Sequence, residues 1–177
     1  MVCSSTHERK SKTYVLTKKG CIYLRHNSLN EDIPIVLALK AMAIQSDHEI
    51  LLLVAGTDMV YQDTFSINFE ECSKLKVFTQ KQALEFMGTR TKKRGPPGLQ
   101  PKRTPEREAL EALATIVLAH VPVENLNFRP KALYMAFMTR RVIQAMTNPA
   151  LVDDRDYVGN KRLELWVSAV HANKGEY

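Results

Sequence analysis

The chain is poor in the features that mark secreted, membrane-spanning or metal-stapled proteins. Among 177 residues there are three cysteines, Cys3, Cys21 and Cys72, at wide and irregular spacing. An odd number so spaced fits neither a disulfide framework nor paired metal ligands, which predicts reduced thiols in a nuclear or cytosolic compartment. No Asn-x-Ser/Thr acceptor occurs. No window approaches the roughly eighteen uninterrupted apolar residues of a membrane span. The N-terminal stretch MVCSSTHERKSKTYV has charges where a signal peptide needs its apolar core. The phosphate-cradling patterns G-x-x-x-x-G-K-[ST] and G-x-G-x-x-G are missing, as is the G-x-S-x-G nucleophile elbow. These absences predict a soluble, non-secreted chain with no membrane contact.

What is present reads as a packed domain. Hydrophobic residues make up 45% and charged residues 25%, enough apolar side chains to offset ordering entropy. Thr13 to Leu16 and Cys21 to Leu24 are short runs of Val, Ile, Thr, Leu and Tyr around Thr17-Lys18-Lys19-Gly20, which predicts a β-hairpin. Asp32 precedes Ile33-Pro34 and an apolar run to about Ile44, a buried helix with proline in its first turn. Ser46-Asp47-His48-Glu49 has capping-box spacing for a helix that Gly56 stops. Asn68-Phe69-Glu70-Glu71 predicts the start of a short helix, Leu75 to Phe78 a strand, and Thr79-Gln80-Lys81-Gln82 a helix ending at Gly88. Thr104-Pro105 opens another, with Leu110, Leu113, Val117 and His120 as its buried stripe and Pro122 as its end. A last helix begins at Pro130, carries Met135, Met138, Val142 and Met146 at helical steps, and stops at Asn148-Pro149. The expected class is α+β, mostly helical, with an N-terminal hairpin.

The net charge of +6 is concentrated in one place. Residues 1–88 hold ten Lys/Arg and ten Asp/Glu, and residues 105–177 hold nine of each. Between them, Thr89 to Thr104 holds Arg90, Lys92, Lys93, Arg94, Lys102 and Arg103 with no acid, together with three prolines and two glycines. This composition predicts a mobile basic loop rather than a uniformly basic face. Lys92, Lys93 and Arg94 suit salt-sensitive contacts to phosphates and equally suit a solvated loop.

Other candidate chemistry is thin. His48-Glu49 begins like a zinc-protease helix, but Leu52 stands where the second imidazole belongs. Asp153, Asp154 and Asp156 form a carboxylate cluster capable of holding Mg²⁺; Arg155, Lys161 and Arg162 beside them favour local ion pairing instead. Tyr134, Met135, Phe137 and Met138 read as core packing. No constellation points to a catalytic residue, a metal site or a cofactor in this chain.

The segment DDRDYVGNKRLEL, from Asp153 to Leu165, resembles a hallmark of the second-largest (β-type) subunit of multisubunit RNA polymerases. EDIPIVLALKAMAIQSDHEI (Glu31 to Ile50), QALEFMGTRT and RPKALYMAFMTRRVI are similar to further stretches of that subunit, in the same order, with wording closest to the RNA polymerase III form. The resemblance covers roughly residues 3 to 165 and implies the lobe, the domain beside the protrusion on the DNA cleft. It implies nuclear localisation, a place walling the downstream duplex DNA, and docking of a TFIIF-like pair alongside other RNA polymerase III subunits, the largest included. It also implies that the Mg²⁺-bound active centre and the zinc sites lie elsewhere in the assembly, so this chain alone is expected to be inactive. Lys92, Lys93 and Arg94 are then the expected mobile electrostatic contact, and Arg155, Lys161 and Arg162 the expected junction with the protrusion or with nucleic acid. Trp166 to Tyr177 departs from the family's continuation, which predicts a divergent tail on a fragment or truncated isoform. The alternative is a free-standing protein-interaction module that makes no nucleic-acid contact.

Overall fold

Lys19 and Gly20 both take positive φ, 51° and 83°, so Lys18 and Cys21 close a two-residue hairpin whose twist matches its strands. In the computed structural model, which describes residues 1–5, 11–92 and 104–152, this hairpin joins β2 (Ser11–Lys18) to β3 (Cys21–His26). With β1 (Val2–Ser5) and β4 (Ile33–Pro34) it forms an antiparallel sheet in the order β1-β2-β3-β4. Thr13 and Val15 of β2 and Ile22, Leu24 and His26 of β3 are buried on one face, as period-two alternation requires. That face packs against a helical layer comprising α1 (Ile35–Ala41), α3 (Met59–Lys74) and α6 (Arg129–Thr147). Around it lie α2 (Asp47–Ala55), α4 (Gln80–Arg90) and α5 (Pro105–Thr115). The α+β class expected from the sequence is the observed one.

Helix α1 is central, and its composition explains why. Every residue from Ile35 to Ala41 is buried, including Lys40, whose Nζ reaches out to Asp47 Oδ1 at 2.9 Å. A helix apolar all round has no solvent face to offer. Each fully buried Leu, Ile or Val contributes about 1.5–3 kcal/mol, so this one short segment anchors much of the core. It begins later than expected: Ile33 and Pro34 pair with Leu24 and Tyr23 as β4, and Pro34 is the N-cap. Asp32 belongs to the sheet's electrostatics, taking Arg25 Nε and Nη2 at 2.7 and 2.8 Å and pairing with Lys18.

Capping patterns act as expected where their partners are local. Ser46 Oγ accepts the Glu49 N–H at 3.4 Å, and Gly56 ends α2. Thr79 and Gln82 make the full reciprocal box at the start of α4. Asn68 does something else. Helix α3 begins much earlier, at Met59, with Asp58 as its cap and Asp58 Oδ1 accepting the Val60 N–H at 3.1 Å. Asn68 is buried in its middle, and its Oδ1 accepts the Ile22 N–H at 2.7 Å. Ile22 sits opposite Thr17 at a position whose N–H points away from β2, and β4 is too short to meet it. A side chain completes what a longer strand would have supplied.

Three further expectations fail. Leu75 to Phe78 form no strand: Lys76 takes φ 55° and no neighbouring strand pairs with them. Helix α5 stops at Thr115, well before Pro122, because the chain turns left-handed at Leu118 and a buried amine collects its carbonyls. Lys131 Nζ donates to the carbonyl oxygens of Leu113, Ala114 and Val117 at 2.7, 2.7 and 2.8 Å. Burial pushes the Lys131 pKa down to about 8. His120, expected in the buried stripe, is exposed and stacks edge-on against Tyr134 at 5.2 Å.

Candidate nucleic-acid and subunit interface

The basic segment is held at both ends by the last turns of α4. This helix runs to Arg90, two residues into the stretch expected as linker. Arg90 is occupied structurally: its guanidinium lies 3.6 Å from the centre of the Phe86 ring, and its Nε donates to Glu31 Oε2 at 2.8 Å. The backbone then docks on the turn after β3. The Asn30 N–H donates to the Arg90 carbonyl and the Lys92 N–H to the Ser28 carbonyl, both at 2.8 Å, with an antiparallel bridge between Leu29 and Thr91. That turn is itself fixed, because His26 Nδ1 accepts the Ser28 N–H at 3.1 Å and pairs with Ser28 Oγ at 2.8 Å.

The return of the chain is equally tight. A Cβ placed on Gly88 would stand 1.9 Å from the Pro105 carbonyl oxygen. Only glycine lets the start of α5 approach α4 so closely. The chain thus leaves at Lys92 and re-enters at Thr104-Pro105 beside the same helical end. Of the residues singled out for nucleic-acid contact, Lys92 has an exposed side chain with no carboxylate within ion-pair distance among the described residues. Lys93, Arg94, Arg155, Lys161 and Arg162 lie outside the described residues, as do residues 95–103 of the expected mobile loop, the Asp153-Asp154-Asp156 cluster and the tail from Trp166.

Several other cations are engaged with the fold. Arg129 Nη1 meets Glu49 Oε1 at 3.0 Å, and Lys131 is buried. Arg25, supported by Lys18, holds the Asp32 carboxyl down to about 2. Tyr23 donates its hydroxyl to Glu71, which raises the Tyr23 pKa. Among the described residues no group of three or more His, Cys, Asp or Glu is arranged to hold a metal ion.

The apolar surface carries information that sequence reading missed. Met135 and Met138 are core, as expected, but Phe137 is exposed on α6 together with Leu133. Arg141 lies over the Phe137 ring at 5.4 Å, so Leu133, Phe137 and Arg141 form one stripe at four-residue steps. The signal was in the sequence: 133, 137 and 141 are out of phase with the buried 135, 138 and 142. Leu75 and Phe78 at the α3–α4 corner are also exposed.

Residues 1–164 match the family model described as RNA polymerase Rpb2, domain 2. The DNA-directed RNA polymerase III subunit RPC2 of Schizosaccharomyces pombe and that of Saccharomyces cerevisiae are each 60% identical to the chain over 164 residues. The corresponding subunit of Drosophila melanogaster is 50% identical over the same length. Each match covers 93% of this chain and 14% of the relative, so the chain spans about a seventh of the curated relatives' length. With a buried helical layer on a small antiparallel sheet and a family match across nearly its whole length, the chain belongs to the RNA polymerase Rpb2 domain 2 family.

Proposed function

We propose that this domain serves as the lobe of an RNA polymerase III second-largest subunit. In that role it borders the DNA cleft in the nucleus and docks a TFIIF-like subcomplex during transcription. The carrying observation is the 60% identity to two RPC2 subunits over 164 residues. The exposed stripe on α6 and the anchored basic segment support a part that binds neighbours rather than one that transforms a substrate. Nucleotidyl transfer belongs, on this reading, to other domains of the assembly. Lys92, Lys93 and Arg94 approach phosphates of the downstream duplex, and Arg155, Lys161 and Arg162 fix the junction with the adjoining domain or lie near nucleic acid.

Two measurements test the reading. The tagged chain, recovered from nuclear extract, is probed for the largest RNA polymerase III subunit and for the TFIIF-like pair. Recovery of either supports the subunit role, and recovery of neither from folded protein refutes it in favour of a free-standing interaction module. Binding to duplex DNA is then compared at two salt concentrations for the chain and for a variant with Lys92, Lys93 and Arg94 all changed to Glu. Removing three phosphate-neutralising cations lowers the slope of log affinity against log salt by roughly 3. An unchanged slope removes these residues from the interface.

A further inference from the structure

The corner between α3 and α4 holds three lysines, Lys74, Lys76 and Lys81, and no acid between them. Leu75 ends α3, Lys76 turns the chain with φ 55°, Val77 enters the core, and Phe78 comes back to the surface before Thr79 caps α4. The pattern Leu-Lys-Val-Phe, with no strand to pair it, sets Leu75 40% and Phe78 57% exposed. Phe78 is held in place from below. Lys40 Nζ lies 6.0 Å from its ring centre while bound to Asp47, and the Phe78 N–H donates to Gln82 Oε1 at 3.0 Å.

Two of the charges around this apolar pair are unmatched. Lys74 and Lys76 are exposed, and neither has a carboxylate within ion-pair distance among the described residues. Lys81 reaches Glu106 at 3.6 Å across a solvent-exposed gap, and Glu70 stands one turn behind Lys74 on α3. A fixed aromatic ring and an aliphatic side chain, set among cations short of partners, complement one chemistry best. We propose that this corner docks an acidic segment of a partner polypeptide, with an apolar side chain of that segment seated on Phe78 and Leu75 and its carboxylates on Lys74 and Lys76. Nucleic acid fits less well, because the corner has no arginine and the aliphatic Leu75 offers no face for a base to stack on. The inference deepens the docking role proposed above by naming the kind of segment docked, and it rests on that reading only for its setting.

The test is fluorescence anisotropy with the full chain and a labelled peptide in which Asp and Glu alternate with Leu and Phe. A peptide with Lys in place of the acids and a single-stranded oligonucleotide serve as comparators. The acidic peptide is expected to bind, and Lys74→Glu with Lys76→Glu to weaken it about tenfold or more and flatten its salt dependence. Phe78→Ser is expected to weaken it by a similar factor, and Phe137→Ser on α6 to leave it unchanged. The lysine variant alters only exposed side chains, so it remains interpretable if Phe78→Ser melts early. Absence of binding, undiminished binding by both corner variants, or preference for the oligonucleotide overturns the proposal. Recovery of polymerase subunits by a chain that ignores the acidic peptide overturns the corner alone. Peptide binding without recovery overturns the subunit role alone.

Discussion

Replacing Gly88 with alanine sets two physical effects against each other with opposite signs. On helix propensity alone the change stabilises, since alanine is favoured over glycine by about 1 kcal/mol inside a helix. The packing says otherwise. The new Cβ falls 1.9 Å from the Pro105 carbonyl oxygen, 2.4 Å from its carbonyl carbon and 2.8 Å from its Cα. These are backbone atoms, which cannot rotate away as a side chain would, so α5 must move bodily. Overpacking in a tight interior costs roughly 1–3 kcal/mol, and more where backbone is displaced. Subtracting the propensity gain from a cost at or above the upper end leaves a net loss of about 2 kcal/mol or more. For a domain of this size that lowers the melting temperature by roughly 4–8 °C. Urea unfolding of the purified chain, followed by circular dichroism, measures it directly. A Gly88→Ala chain as stable as the parent, or more so, would refute the close approach of α4 and α5 and with it the anchoring of the basic segment at that end.

Further outcomes follow from the buried polar groups. Lys131→Met removes three donors from the end of α5 and leaves carbonyls of Leu113, Ala114 and Val117 unpaired; a loss of about 2–4 kcal/mol in urea unfolding is expected. Asn68→Ala strands the Ile22 N–H, costs about 1–3 kcal/mol, and should raise the hydrogen-exchange rate at Ile22 more than at its neighbours. Asp32 has a folded pKa of about 2, below its ordinary value of 3.8. Its contribution is therefore complete above about pH 4 and lost as pH falls towards 2. Because Arg25 and Lys18 are half exposed, Asp32→Asn should cost only about 0.5–1 kcal/mol near neutrality. Its acid-unfolding curve should be shallower than the parent's over that window, and an identical curve would show that the pair contributes nothing.

How much of this is legible in the sequence depends on how far each residue's partner lies along the chain. Ser46 and Thr79 cap through bonds to residues three positions on, so their four-residue patterns suffice. Asn68 shows the same local pattern and is claimed instead by a strand amide forty-six positions away. The helix that contains it reads as short because its true cap, Asp58, precedes exposed Met59 and Val60 rather than an apolar stripe. Lys131 reads as an ordinary surface cation until the end of α5 is placed beside it. At the corner, Leu75 to Phe78 have the alternation of a strand, yet alternation specifies a strand only where another edge is free to pair. For the candidate interface, clustering of charge marks the basic segment in the sequence, and of its three proposed contact residues only Lys92 is described, with an exposed side chain. Composition does not show that Arg90 is engaged, because its carboxylate partner Glu31 lies 59 positions away along the chain.

The amine that closes α5 has a consequence for how this domain opens and closes. Helix α5 carries no terminating glycine; Thr115 Oγ1 closes the Glu111 carbonyl and the Ile116 N–H the Ala112 carbonyl, but the group that closes Leu113 and Ala114 arrives on α6. The end of α5 is therefore incomplete without α6. Partial unfolding should not peel α5 away while α6 stays intact but should release both as one foldon. Amide exchange at the end of α5 then reports on the seating of α6. A partner that grips the Leu133–Phe137–Arg141 stripe would, by steadying α6, tighten a helix it never touches.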